Sequence, residues 1–142
     1  MKALAILMVV IGIMAMFSLN TTVTRDEYRV EAVAFNYALF RNEVHRYVFS
    51  GHKASGTITA ASLDLPTGWV MLRPWQARID SGCLYVWGEA SPEEIEAVRV
   101  LYWGSYAIGR ASGGKLEPSY GGTTPVPSFI AEGNLVSVVG VE

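Results

Sequence analysis

Few residues of this 142-residue chain have the types and spacing for chemistry. Gly104, Gly109, Arg110 and Ala111 stand at phosphate-loop spacing, but that loop needs a Lys to reach the phosphates and a Ser or Thr to hold magnesium. Arg and Ala occupy those places, and a helix rather than a strand is expected ahead of them, so nucleotide binding is disfavoured. Neither a Gly-x-Ser-x-Gly elbow nor a His-Glu-x-x-His helix occurs. His45 and His52 are the only imidazoles, seven residues apart across an expected helix end with Glu43 nearby. A metal site needs a third ligand at a predictable position, and none is present, so both read as solvated histidines. Asp80 and Glu89 could pair for acid and base work on glycans, yet nothing selects that pair over others. Cys83, the single cysteine, rules out an internal disulfide and a cysteine zinc cluster; its apolar run Cys83 to Trp87 makes it a buried structural thiol. No catalytic, cofactor-binding or metal-binding residues emerge, and a non-enzymatic protein is expected.

Aromatic side chains are the richer resource. Trp69, Trp75, Trp87 and Trp103, with Tyr85, Tyr102, Tyr106 and Tyr120, should mostly fill a core, because each buries a large area on folding. Trp75 and Tyr120, flanked by Pro and Gly in turn regions, are the candidates for an exposed partner surface, where Trp and Tyr serve as anchors. A net charge of -2, with Lys and Arg scattered singly, argues against a nucleic-acid module.

The element that must position all of this opens the chain. Ala3 to Leu19 is almost wholly apolar, with Lys2 ahead of it and no charge until Arg25. About 20 apolar residues rising ~1.5 Å each cross a hydrocarbon core ~30 Å thick. Ala3, Leu4, Ile6, Leu7, Val9, Val10, Ile11, Ile13, Phe17 and Leu19 are therefore expected to form a retained membrane anchor within residues 1–24. A cleaved leader is the weaker reading, since Met14 to Thr22 contains no convincing Ala-x-Ala site. Gly12 stands alone, so no Gly-xxx-Gly pairing face is present. Lys2 on one side and Arg25, Arg29 and Arg41 on the other leave the orientation undecided by charge. The Asn20-Thr21-Thr22 triplet lies too near the expected bilayer to carry weight as a glycosylation site.

Residues 25–142 suffice for one α+β domain. Thr24 to Glu27 reads as a capping box, so a second helix starts there or the first continues. Val30, Val33, Ala34, Tyr37, Ala38, Val44, Tyr47 and Val48 form its apolar stripe, with Arg29, Asn36 and Glu43 placed off it. It should end near Phe49 at Ser50-Gly51. Thr57 to Thr59 could pair as an edge strand, and Trp69 to Leu72, Ala77 to Asp80 and Cys83 to Trp87 are expected to form an antiparallel meander. Ser91-Pro92-Glu93-Glu94 opens a helix to about Trp103, packed through Ile95, Val98, Leu101 and Tyr102, its glutamates complementing the helix dipole. Gly104 to Gly114 is ambiguous, Glu117 to Pro127 should be irregular, and Leu135 to Val141 a buried last strand.

The short MKA-type start running into one apolar span, Leu65 to Trp69, Gly82 to Trp87, and Pro127 to Val136 resemble the PilM family of conjugative-plasmid thin pilus (type IVb pilus) systems over nearly the whole length. That resemblance implies an inner-membrane accessory protein with its body outside the cytoplasm, serving the pilus basal body or pilin export through other pilus assembly proteins. It brings no catalytic residue. A minor pilin-like subunit is the rival within the same machinery, although the apolar span lacks the Glu that such subunits carry. A periplasmic cell-wall enzyme using Asp80 or Glu89 is the rival outside it. Homo-oligomerisation stays open.

Overall fold

The computed structural model describes residues 2–142, with side chains described for 2–16 and 25–142. One helix, α1 (Lys2–Phe49), runs without a break from the apolar start into the body and is about 72 Å long at ~1.5 Å per residue. The expected second helix is thus a continuation, and the Thr24 to Glu27 pattern caps no helix start, because the backbone is helical on both sides of it. Among the described residues no helix is long and apolar enough to cross a membrane. The expected span leaves the described side chains at Met16, and Phe17, Leu19 and the Asn20 to Thr22 triplet lie outside them. Leu4, Ile6, Leu7, Val9, Val10, Ile11 and Ile13 are all exposed.

After Phe49 the chain turns as expected, with the Ser50 amide donating to the Arg46 carbonyl and the His52 amide to that of Val48. The body then follows as β1 (Gly56–Ile58), a short 3₁₀ turn (Ala60–Ser62), β2 (Gln76–Asp80), β3 (Cys83–Gly88), α2 (Pro92–Leu101), β4 (Ile108–Ser112), β5 (Lys115–Glu117) and β6 (Leu135–Gly140). The strands form one six-stranded sheet in the order β1-β2-β3-β6-β4-β5, antiparallel at every pair. Ser81 and Gly82 both take positive φ, 51° and 77°, which gives the β2–β3 hairpin the turn that matches strand twist. In α2 the Ser91 hydroxyl accepts from the Glu94 amide with Pro92 at the first turn, as its sequence requires. The region left ambiguous after α2 is a turn followed by β4.

Alternation along β3 explains the layering. Leu84 and Val86 join the core beneath α1 and α2, while Tyr85 and Trp87 point to the opposite face with Ala111, Leu116, Val126, Ile130 and Val136. The first core is filled from α1 by Val33, Ala34, Tyr37, Phe40, Val44 and Val48, and from α2 by Ile95 and Val98. Phe40, absent from the expected stripe, is fully buried and stacks on Trp69 at 6.3 Å.

Two expectations fail for one reason. Asn36, placed off the apolar stripe, is buried, and Trp69 to Leu72 is no strand. The Asn36 amide substitutes for a strand neighbour: its Nδ2 donates to the Val70 carbonyl at 2.8 Å, and its Oδ1 accepts from the Leu72 amide at 3.0 Å and from Trp75 Nε1 at 2.8 Å. The segment is therefore strapped across α1 by one side chain. Trp75 Nε1 satisfied in this way allows the whole indole to be buried. The ring lies edge-on to Tyr37 at 5.1 Å and occupies the space beside Gly88 that any Cβ there would fill.

Removing this amide leaves the buried Trp75 Nε1 and two partly buried backbone groups without partners. Asn36→Leu should destabilise the body by about 2–4 kcal/mol, whereas Trp75→Phe, which keeps most of the ring contact, should cost about half as much. Urea unfolding followed by tryptophan fluorescence or circular dichroism measures both; an unchanged midpoint for Asn36→Leu would show that the strap is inert.

Candidate functional site

The acids considered for catalysis are kept apart by the sheet. Asp80 opposes Cys83 at one end of β3, while Glu89 follows Gly88 at the other end. At ~3.3 Å per residue that separates them by about 20 Å, well beyond the carboxylate spacings used in glycoside hydrolysis. Gly109 lies within β4, where a Cβ would collide with the Glu117 carbonyl oxygen. That glycine permits close strand approach and cradles no phosphate. Among the described residues no three His, Cys, Asp or Glu side chains converge on a metal position. Cys83 is a free thiol, half-buried where full burial was expected.

The histidines also differ from each other. His52 is exposed, stacks on Tyr47 at 4.0 Å and has Nδ1 2.9 Å from the Tyr47 carbonyl oxygen. His45 is half-buried and its Nε2 has no hydrogen-bond partner, which corrects its reading as solvated. Desolvation, reinforced by the Arg41 guanidinium, pushes its pKa down to about 4. Glu94, expected only to complement the helix dipole, is buried and pairs with Arg73 at 2.6 Å, tying α2 to the segment ahead of β2. A polar cleft of about 440 Å³ lies over this pair, lined also by Glu89, which is exposed, and by Glu132, which accepts from the Gly113 amide. Arg73, Glu94 and Glu132 are thereby engaged within the fold.

The feature with unfilled capacity is a groove of about 640 Å³ between α1 and α2. Val30, Ala34, Phe35, Ala97, Val100 and Leu101 make its floor and walls, and Asp26, Glu27, Glu31 and Glu93 its rim. Phe35 is 59% and Val100 64% exposed although both belong to helices that bury their other faces. The two helices run in the same direction: Glu93, at the start of α2, shares the groove with Asp26 and Glu27, while Tyr102, just past its end, donates to Asn42 Oδ1 at 3.0 Å and lies under the Arg41 guanidinium. The four rim carboxylates make no ion pair among the described residues. An apolar trough with an uncompensated negative rim can seat a protein segment carrying apolar and basic side chains.

Of the two aromatics expected to be exposed, Tyr120 is exposed and Trp75 is not. Tyr120 is 81% exposed and stacks on Tyr106 at 5.3 Å, whereas Trp75 is 3% exposed because Asn36 satisfies its indole. The exposed tryptophan is Trp103 instead, 96% exposed and held at a φ of 52° in the turn after α2. No sequence signal marked it, since its spacing continued the helix.

Comparison with known proteins follows this geometry. A family model described as PilM matches residues 6–138. A crystal structure named as a protein PilM from Escherichia coli B7A superposes with a TM-score of 0.63, covering 80% of this chain and 94% of that chain at 18% identity, which is a likeness of fold. No curated protein matches the chain.

Two outcomes follow from the site. Unfolded His45 takes its proton near pH 6.5 and the folded ring only near pH 4, so the unfolded state holds more protons between those values. Its contribution is present above pH 6.5 and is lost as pH falls towards 4; His45→Gln should flatten that part of a stability-pH curve, compared by urea unfolding at pH 7 and 4.5. Trp103→Asn should raise stability by about 0.5–1 kcal/mol, because Asn tolerates the left-handed region that costs a bulky residue. A thermal unfolding midpoint lower than that of the parent protein would refute the strain.

Proposed function

The chain belongs to the PilM family, and from that membership we propose that it serves pilus biogenesis as a membrane-anchored, non-enzymatic accessory protein of a type IVb (thin) pilus assembly or pilin-export machine used in conjugation. Its anchor is the apolar start of α1 in the inner membrane, and its body stands on the extracytoplasmic side. Other pilus assembly proteins are its partners.

The observation that supports this most is the continuity of α1. At one end its apolar side chains from Leu4 to Ile13 are exposed and touch no core, and at the other Val33 to Val48 are the core. Seven neighbouring exposed aliphatic residues on one helix are costly in water and favourable in lipid. With helical backbone throughout, whatever holds the first half fixes the height and direction of the second. Scaffolding needs this stiffness; catalysis by a diffusing domain does not. The family model begins at residue 6 and so includes the apolar half in its pattern.

The same continuity favours a second reading, a minor pilin-like structural subunit, in which an apolar helix leads into an antiparallel sheet. Such a subunit would be shortened by a peptidase, and the mass of the protein recovered from membranes separates the two readings. For a cell-wall enzyme, the reading outside this machinery, the separation of about 20 Å disfavours acid and base work shared between Asp80 and Glu89.

Full-length protein should remain in vesicles washed with carbonate at high pH. Replacing residues 1–24 with a cleavable signal should abolish pilus assembly, scored by pilus counts and conjugation frequency, while circular dichroism of the released body stays unchanged. A released body that restores pili fully would refute the anchored scaffold.

A further inference from the structure

We propose that the acidic groove between α1 and α2 takes the basic face of α1 from a second copy of this chain, so that the copies stand side by side in the membrane. This rests on the anchored reading above. On a helix turning 100° per residue, Asp26, Glu27, Val30, Glu31 and Ala34 share one side of α1, facing the groove. Arg25, Tyr28, Arg29 and Ala32 fall about 150° away, and all four are exposed. Neither arginine forms an ion pair among the described residues, and neither do the rim acids.

One stretch of helix thus carries both halves of a contact: an apolar trough with carboxylates on one side, and two arginines beside an aromatic and an alanine on the other. The membrane supplies the register. Copies anchored by the same residues place Arg25 and Arg29 at the height of Asp26, Glu27 and Glu31, since neighbouring residues differ by only ~1.5 Å along the axis. Parallel anchoring also orients both body and groove alike, which a partner arriving from solution would have to achieve by ordering itself. Tyr28 then lies level with Val30 and can cover the apolar floor that leaves Phe35 and Val100 exposed. Anionic headgroups are an unsuitable occupant for the groove, whose rim repels them. Because the two halves lie on opposed sides of one helix, the contact is head-to-tail and extends into rows or rings instead of closing as a two-fold dimer.

The test uses full-length protein in membranes, with Cys83→Ser as background and two differently tagged copies. Arg29→Cys on one copy and Glu31→Cys on the other should crosslink with a short bis-maleimide when co-expressed, and neither should crosslink efficiently with itself. Glu27→Arg with Glu31→Arg should lower chemical crosslinking of tagged copies by about tenfold or more, as like charges meet, and adding Arg25→Glu with Arg29→Glu to the same chain should restore it. Rescue by the second reversal cannot come from damaged folding. Crosslinks equal in same-residue and mixed pairs, or reversal without rescue, would overturn the proposal. So would loss of a crosslink to another pilus protein with self-crosslinking untouched. Carbonate washing of the same vesicles keeps the premises apart: a chain that washes out defeats the anchor, while one that stays embedded without mixed crosslinks defeats only the self-docking.

Discussion

The constraint that organises the molecule is that one unbroken helix carries two unlike stretches of side chain. From Val33 to Val48 α1 buries an apolar face against the sheet and α2, and that face cannot be withdrawn without emptying the larger core. Near the start of the same helix Leu4, Ile6, Leu7, Val9, Val10, Ile11 and Ile13 are exposed and find no cover in their own chain. Hydrogen bonds inside a helix satisfy its backbone whatever surrounds it, so the difference between the two stretches falls on side chains alone. Everything else in the body serves to grip the inner half.

The grip is polar as well as apolar. Asn36 fastens the irregular segment before β2, Tyr37 donates to the Val86 carbonyl at 2.8 Å, and Arg41 Nε donates to the Ser137 hydroxyl at 2.9 Å. These three residues reach the strap, β3 and β6 in turn, and each bond demands a particular rotation of the helix about its axis. Apolar packing tolerates small slips; buried hydrogen bonds do not. The rotation so specified decides which residues ahead of Val33 face α2 and which face away. Groove and basic face are consequences of that choice.

The C-terminal strand adds a second kind of control. β6 lies between β3 and β4 and joins the meander β1-β2-β3 to the β4-β5 pair. Residues far apart in the chain must therefore meet before the sheet is complete, and α1 receives its full platform only then. The opposite face is closed by the run from Val126 to Ile130, whose Phe129 meets Tyr85 edge-on and lies under the Arg78 guanidinium. Both faces of the sheet are covered, while the α1–α2 groove and the turn carrying Trp103 keep apolar surface exposed.

Local features of the body were legible from residues alone: the end of α1 at Phe49, the capped start of α2, the hairpin β2–β3 and the burial of β6 all follow from caps, turn residues and β-branched runs that act over a few positions. The apolar start, the lack of any metal-ligand or nucleophile pattern and the family likeness were equally visible. Tertiary structure alone decided that Asn36 and Glu94 turn inward, that Trp69 to Leu72 bonds to a side chain instead of a strand, and that Trp75 is buried while Trp103 is bare. Those outcomes depend on which distant group arrives opposite each side chain, and polar residues are admitted to an interior only when a partner meets them there. Periodicity reports how apolar a face is; it carries no record of the partner.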